Sequence, residues 1–345
     1  MRAVQIHSHG GIDQLCYEEA ADPSLTSPDD AIVKLHAASL NPSDIGIRQG
    51  ATRVKINFPH ILGSDGAGTV ISVGARVKNV KPGDPVALYP ASGCGDCEFC
   101  ATDREFMCPG VRLLGERNQG TYAQHVRVAA RNCFVLPAGL SFEEAAAMPV
   151  CYISVWRMLV THAEIKPGET LLIRGFGSAK ATAALQVGTA IGAHILVAGN
   201  SDDELASAIQ LGAELVIDER ADDVAQHVRK FTAKRGVDVV VDCVGGTGWA
   251  ASLASLSKGG RLVTSGATAG LHPQTDLRRI FWNHLKIFGS TLGTRQEFRD
   301  VLNFMKLSGT RPIIDRVFSL EQAAEAQQRM AEQKQTGKVI LRMEG

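Results

Sequence analysis

From about residue 165 the sequence alternates in a way that few folds accommodate. Short apolar runs at Thr170–Ile173, His194–Ala198, Leu215–Ile217, Val237–Val241, Arg261–Thr264 and Ile287–Gly289 are separated by longer intervals of helical spacing. Those intervals are Ala179–Ile191, Asp202–Leu211, Ala221–Lys234 and about Gly248–Leu256. Several runs are apolar at successive positions, so each strand needs cover on both faces, as in a parallel sheet lined by helices. Six such strands with crossover helices predict an α/β, doubly wound, six-stranded parallel sheet.

The first 150 residues read differently. Ile32–Leu35, Val70–Val73 and Val86–Tyr89 are short strand-like pieces between turn residues such as Asn41-Pro42 and Lys81-Pro82-Gly83-Asp84, which predicts a mostly-β domain. The tail from about 295 carries helices around Glu297–Lys306 and Glu321–Glu332 and a strand at Lys338–Arg342. It does not extend the parallel series and is expected to return to the first domain. Two domains suit 345 residues at about 150 residues each.

Composition removes several function classes. Thirty-six basic against 36 acidic side chains give no net charge, hence no global attraction to nucleic acid. No apolar run approaches the roughly 20 residues of a membrane span. The opening residues alternate like a strand and lack a signal-peptide core, so the expected location is the cytoplasm.

Four of the eight cysteines fall within fifteen residues, as Cys94-x2-Cys97-x2-Cys100-x7-Cys108. Four thiolates on a short loop (about residues 93–109) suit tetrahedral Zn²⁺ and leave no open coordination position, so the expected zinc is structural. An iron–sulfur cluster is the competing reading. Cys16, Cys133, Cys151 and Cys243 are scattered singly.

The run Leu171–Ala181 passes from a strand through Gly175-Phe176-Gly177-Ser178 into a helix beginning Ala179-Lys180-Ala181. Gly175 and Gly177 let the backbone approach a diphosphate, and the helix start offers free N–H groups and the positive end of its dipole. Ala181 stands where the third glycine of the usual fingerprint packs. Lys180 either reaches a phosphate or points to solvent. The second strand ends in Gly199-Asn200-Ser201, without the acid that usually bonds the ribose hydroxyls of NAD. This predicts NADP(H), although Asp202, Asp203 and Glu204 follow at once.

Taken together with Asn41-Pro42-Ser43-Asp44, Gly63-Ser64-Asp65-Gly66-Ala67-Gly68, Val80–Asp84, Glu144–Pro149, Leu211-Gly212-Ala213 and Gly337–Leu341, these features resemble the medium-chain dehydrogenase/reductase superfamily along the whole chain. The resemblance implies a GroES-like catalytic domain at 1–150 and 295–345, a cofactor domain at 151–294, and a homodimer or tetramer paired through the edge of the sixth strand. It also implies nicotinamide contacts at Val150, Ser154, Val244, Gly266, Ala267, Ser290, Leu292 and Lys338.

In the zinc alcohol dehydrogenase branch, a catalytic zinc is held at positions that here are Asn41, Ser64-Asp65 and Val150 or its neighbour Cys151. Asn and Ser are poor zinc ligands, so no catalytic zinc is expected. The Asn-Pro-Ser-Asp and Gly-Ser-Asp-Gly-Ala-Gly forms resemble the zinc-free quinone oxidoreductases. That branch usually lacks the cysteine lobe, and its tyrosine near the first loop is replaced here by Gly46. The expected activity is NADPH-dependent reduction of a quinone or α,β-unsaturated carbonyl. Asn41 and Ser43 would then contact the small-molecule substrate's oxygen, with Tyr152 as a possible proton donor. Each has a plainer role open to it: Asn41 as a turn former, Ser43 as a helix cap, Tyr152 as packing. A zinc-type alcohol dehydrogenase and a non-catalytic NADPH-binding regulator are the alternatives.

Overall fold

The computed structural model describes every residue except Arg53, Lys334, Glu344 and Gly345. It divides into two compact units, one formed by Met1–Ile153 with the chain from Gly293 onward, the other by Ser154–Leu292.

The second unit holds a six-stranded parallel sheet. Its strands lie in the order Leu215–Asp218, His194–Gly199, Thr170–Arg174, Val237–Asp242, Leu256–Thr264 and Lys286–Gly289. All six residues of Val237–Asp242 are buried, as consecutive apolar positions require of a strand covered on both faces. Leu172, Leu196, Ile217, Val240 and Leu262 form a layer under Trp249 and Leu253. The strand order changes direction beside Thr170–Arg174, so the crevice for a ligand opens where that strand and Val237–Asp242 end.

Three elements depart from the sequence expectation. The helix expected at Ala221–Lys234 spans only Val224–Phe231: Asp223 caps its start, and Ala233 and Lys234 take positive φ after its end. The fifth strand begins at Leu256 rather than Arg261, its first half disguised by Gly259-Gly260 and a register shift. Helix Leu277–Trp282 was not anticipated, because Leu277, Phe281 and Trp282 face outward and break the amphipathic pattern.

In the first unit the long strand Asp30–Ser39 is central. It pairs antiparallel with Asp65–Val73 on one side and with Lys338–Arg342 on the other, and His125–Ala129 also pairs with it. The tail therefore does return to this domain. It brings a strand not foreseen, Ile314–Ser319, which lies parallel to Lys338–Arg342. Leu35, Leu88, Val126, Phe318 and Leu341 belong to one core beneath this sheet. Register now does something specific. Ser39 pairs with Asp65, and the amide of Leu40 donates to Val339. Three residues far apart in sequence, Ser39, Asp65 and Lys338, are thus brought to one end of the sheet. Among the described residues, no helix is long and apolar enough to cross a membrane.

Candidate functional site

At that end of the sheet the Asp65 carboxylate is wholly buried and accepts four hydrogen bonds. Oδ2 takes the Lys338 ammonium at 2.9 Å, the Asn41 amide nitrogen at 2.9 Å and the Ser39 hydroxyl at 3.0 Å. Oδ1 takes the Val150 backbone N–H at 2.8 Å. Lys338 is also buried, at 3 % exposure, and its other two protons go to the Leu40 carbonyl at 2.9 Å and Asn41 Oδ1 at 2.8 Å. All three ammonium hydrogens are matched. Two opposite charges taken out of water can coexist only with this degree of hydrogen bonding, because desolvation of each ion costs several kcal/mol.

A second buried carboxyl lies next along the chain. Asp44 Oδ2 accepts the Asn41 backbone N–H and the Tyr122 hydroxyl, both at 2.9 Å. Burial pushes the Asp44 carboxyl up to about 7, against the opposing pull of those two donors. Tyr122, itself fully buried, has its phenol raised well above the ordinary range by the same burial and by the neighbouring Asp44 charge.

The sequence-predicted residues separate on this geometry. Asn41 is in the cluster with both ends of its amide engaged, and Val150 joins through its backbone. Ser64 is buried nearby but gives its hydroxyl proton to the Leu114 carbonyl at 2.8 Å. Ser43 is exposed on helix Pro42–Arg48, whose cap is Asn41, so it is not the helix cap. Tyr152 is 2 % exposed, and its phenol is raised by burial and faces the backbone of Ile313. Sequence reasoning missed Ser39 and Tyr122, whose types carry no signal. It also missed the pairing of Lys338 with Asp65; a lysine at the head of the apolar strand Val339-Ile340-Leu341 was the available sign.

The four clustered cysteines converge. Their sulfurs all lie within 4.8 Å of one another, with Cys97–Cys100 and Cys94–Cys108 at 3.5 Å. Four sulfurs at ~2.3 Å from a tetrahedral zinc stand about 3.8 Å apart, whereas a disulfide requires about 2.05 Å. The spacing therefore fits a metal and not a bridge. The Cys94, Gly95 and Gly110 amides point at Cys108, Cys100 and Cys108 sulfurs, as thiolates need. Among the described residues this is the one convergence of three or more His, Cys, Asp or Glu side chains suited to a metal. Arg295 clamps the lobe through Asp103 and the buried Glu105.

In the second unit the glycine turn joins strand Thr170–Arg174 to helix Ala179–Ile191, whose first turn is capped by Ser178 Oγ on the Ala181 amide. Lys180 is half-buried, and its ammonium donates to the Ser265 carbonyl and hydroxyl at 3.1 and 3.0 Å. Val244 packs onto Gly175, where a Cβ would meet it at 2.4 Å. Asp242 ties down the Val244 and Gly245 amides at 3.0 and 2.8 Å. The Ser290 hydroxyl is buried without a hydrogen-bond partner among the described residues. A rigid glycine turn, a capped helix start and an orphaned hydroxyl at the strand ends fit a dinucleotide.

Comparison with known proteins agrees with both halves. Residues 27–138 match the alcohol dehydrogenase GroES-like domain, and residues 181–306 match the zinc-binding dehydrogenase family. An alcohol dehydrogenase of Geobacillus stearothermophilus is 32% identical over 321 residues, covering 91% of this chain and 92% of that one. The chain belongs to the medium-chain dehydrogenase/reductase superfamily. It is an NAD(P)-dependent oxidoreductase, which sets aside the non-catalytic alternative. A quinone oxidoreductase of Homo sapiens is 26% identical over 99% of this chain and 97% of its own length. The solved structure of an NAD-dependent alcohol dehydrogenase superposes with a TM-score of 0.94 at 34% identity, covering 99% of each chain.

The ion pair can be tested without substrate. Replacing Lys338 by Met leaves Asp65 buried and unpaired, and chemical denaturation should show the first unit destabilised by about 3–5 kcal/mol. The double variant Lys338→Met, Asp65→Asn should regain most of that loss. Equal destabilisation by the single and double variants would show that the two charges do not stabilise each other.

Proposed function

We propose that this enzyme reduces a quinone or an α,β-unsaturated carbonyl with NAD(P)H, holding one structural zinc at Cys94, Cys97, Cys100 and Cys108 and none beside the substrate. The observation that carries this reading is the saturation of Asp65. A catalytic zinc needs three protein ligands with lone pairs to give and an open fourth position. The Asn41 corner offers an amide bound at both ends, a serine hydroxyl turned to Leu114, and a carboxylate already holding an ammonium and three further donors. That set does not fit the ion.

The chemistry follows from the charge at this corner. Lys338 and Asp65 cancel, so nothing there replaces the Lewis acid that steadies the alkoxide of a simple carbonyl. A conjugated acceptor spreads the incoming charge over its own π-system and needs only hydrogen bonds. When bound, the nicotinamide coenzyme supplies the hydride. In this reading Gly175–Ala181 hold the diphosphate, while Ser154, Val244, Gly266 and Ala267 of the same unit line the nicotinamide. Ser290 and Leu292 meet its carboxamide end. The second N–H of the Asn41 amide, the one not given to Asp65, and the exposed Ser43 hydroxyl are the groups that would orient the substrate oxygen, and Tyr152 is left to packing.

The relatives named as alcohol dehydrogenases favour an alcohol–aldehyde pair instead, a reading that requires a second metal at the corner. Initial rates of NADH and NADPH oxidation with matched pairs of enones and saturated ketones, and with quinones, separate the two. We expect kcat/KM for the conjugated acceptor to exceed that of its saturated partner by at least about tenfold. Equal or greater activity on saturated carbonyls, rising with added zinc, would overturn the proposal.

The exposed Leu277, Phe281 and Trp282, just ahead in sequence of the edge strand Lys286–Gly289, support a homodimer, or a tetramer built from it, since such an edge is normally covered. Sedimentation equilibrium should give at least twice the chain mass. A monomer at micromolar concentration would remove this part of the reading.

A further inference from the structure

We infer that the first unit carries an anion-binding cavity walled by arginines, apart from the Asp65 corner, and that it takes a small organic carboxylate or phosphate. Helix Arg295–Ser308 buries Phe298, Val301 and Met305 on one side. Arg295, Arg299 and Asn303 recur four residues apart on another face, where such side chains are neighbours. That face and the segment from Arg131 to Pro137 line a cavity of about 620 Å³, within the size range of small-molecule sites. All of its lining residues belong to the first unit, and none of them is in the Asn41, Asp65 and Lys338 cluster or the Gly175–Ala181 turn.

The three guanidiniums on its wall are not equally spent. Arg295 is taken up by Asp103 and by Glu105, the latter at 2.7 Å. Arg131 makes no hydrogen bond among the described residues: its Nη1 stands 3.9 Å from Glu105 Oε1, too long for one. Asp29 also feels the Arg131 charge, but its carboxyl is held below the ordinary value first by its hydrogen bonds to Arg76, which occupy both oxygens. Arg299 lies over the Phe134 ring, 5.5 Å from its centre, and gives one N–H to Gln296 Oε1 at 2.5 Å. Its other N–H groups have no hydrogen-bond partner among the described residues.

Three cationic groups therefore share two carboxylates, and both carboxylates are bonded to Arg295. A concavity with an excess of one sign focuses its field and concentrates counter-ions. A guanidinium presents its donors as a planar fork that matches a carboxylate or a phosphate, so Arg131 and Arg299 supply the recognition. Beside them Val135, half exposed, and Pro137 add an apolar wall. The ligand that fits is an anionic head on a compact apolar body.

Calorimetric titration of the purified protein tests this, with NADH and NADPH both in excess so that the dinucleotide site is filled. The probes are phenyl phosphate, benzoate and the neutral benzamide. We expect one anion per chain to bind at least about tenfold more tightly than benzamide, and the tighter of the two anions identifies the head group. Replacing Arg131→Gln and Arg299→Gln together should weaken that anion at least about tenfold, because two charge-assisted contacts are lost. Each single variant, at an exposed arginine, should weaken it by a smaller factor and decides the matter if the double variant fails to fold. Binding of neither anion, benzamide bound as tightly as the anions, or an affinity unchanged in the folded variants overturns the inference.

Discussion

A buried ammonium held against a buried carboxylate is the constraint around which the first unit is arranged. Lys338 and Asp65 come from strands on opposite sides of Asp30–Ser39, so the pair forms only when the tail has returned to the sheet in register. Once formed, it sets demands on its neighbours. The second ends of both groups must be satisfied, and Asn41, Ser39, Leu40 and Val150 are placed to do so. Removing any one of them leaves an uncompensated polar atom in low dielectric, where the cost is largest. The opposite charges of Lys338 and Asp65 cancel, so this pair leaves no net charge at the corner.

The same economy of charge recurs in the second unit. Arg174 is engaged by Glu219, Arg220 by Asp218 and Lys180 by Ser265. The sulfurs of Cys94, Cys97, Cys100 and Cys108 converge within 4.8 Å of one another, and a zinc held by all four would have no open position and would serve to stiffen the loop.

Much of this was legible in the sequence, and the parts that were not have physical causes. The parallel sheet announced itself because strands buried on both faces must be apolar throughout, and the metal lobe because cysteines rarely crowd for any other reason. Helix Leu277–Trp282 was hidden because its apolar residues point outward. The strand Ile314–Ser319 was hidden by polar Asp315 and Arg316 at half-exposed positions. At the site, Asn41 and Asp65 could be named from their motifs, but no local pattern tells that Lys338, nearly three hundred residues on, fills the space between them. Long-range pairings of single polar residues leave no periodicity, which is why the motifs were legible in the sequence and the pairing of Lys338 with Asp65 was not.

The most direct test of the account is anomalous diffraction above and below the zinc edge from crystals grown with zinc present. The account predicts one anomalous peak per chain, among Cys94, Cys97, Cys100 and Cys108, and ordinary density for an ammonium between Asn41 and Asp65. A second peak bound by Asp65, with Lys338 displaced, would contradict it.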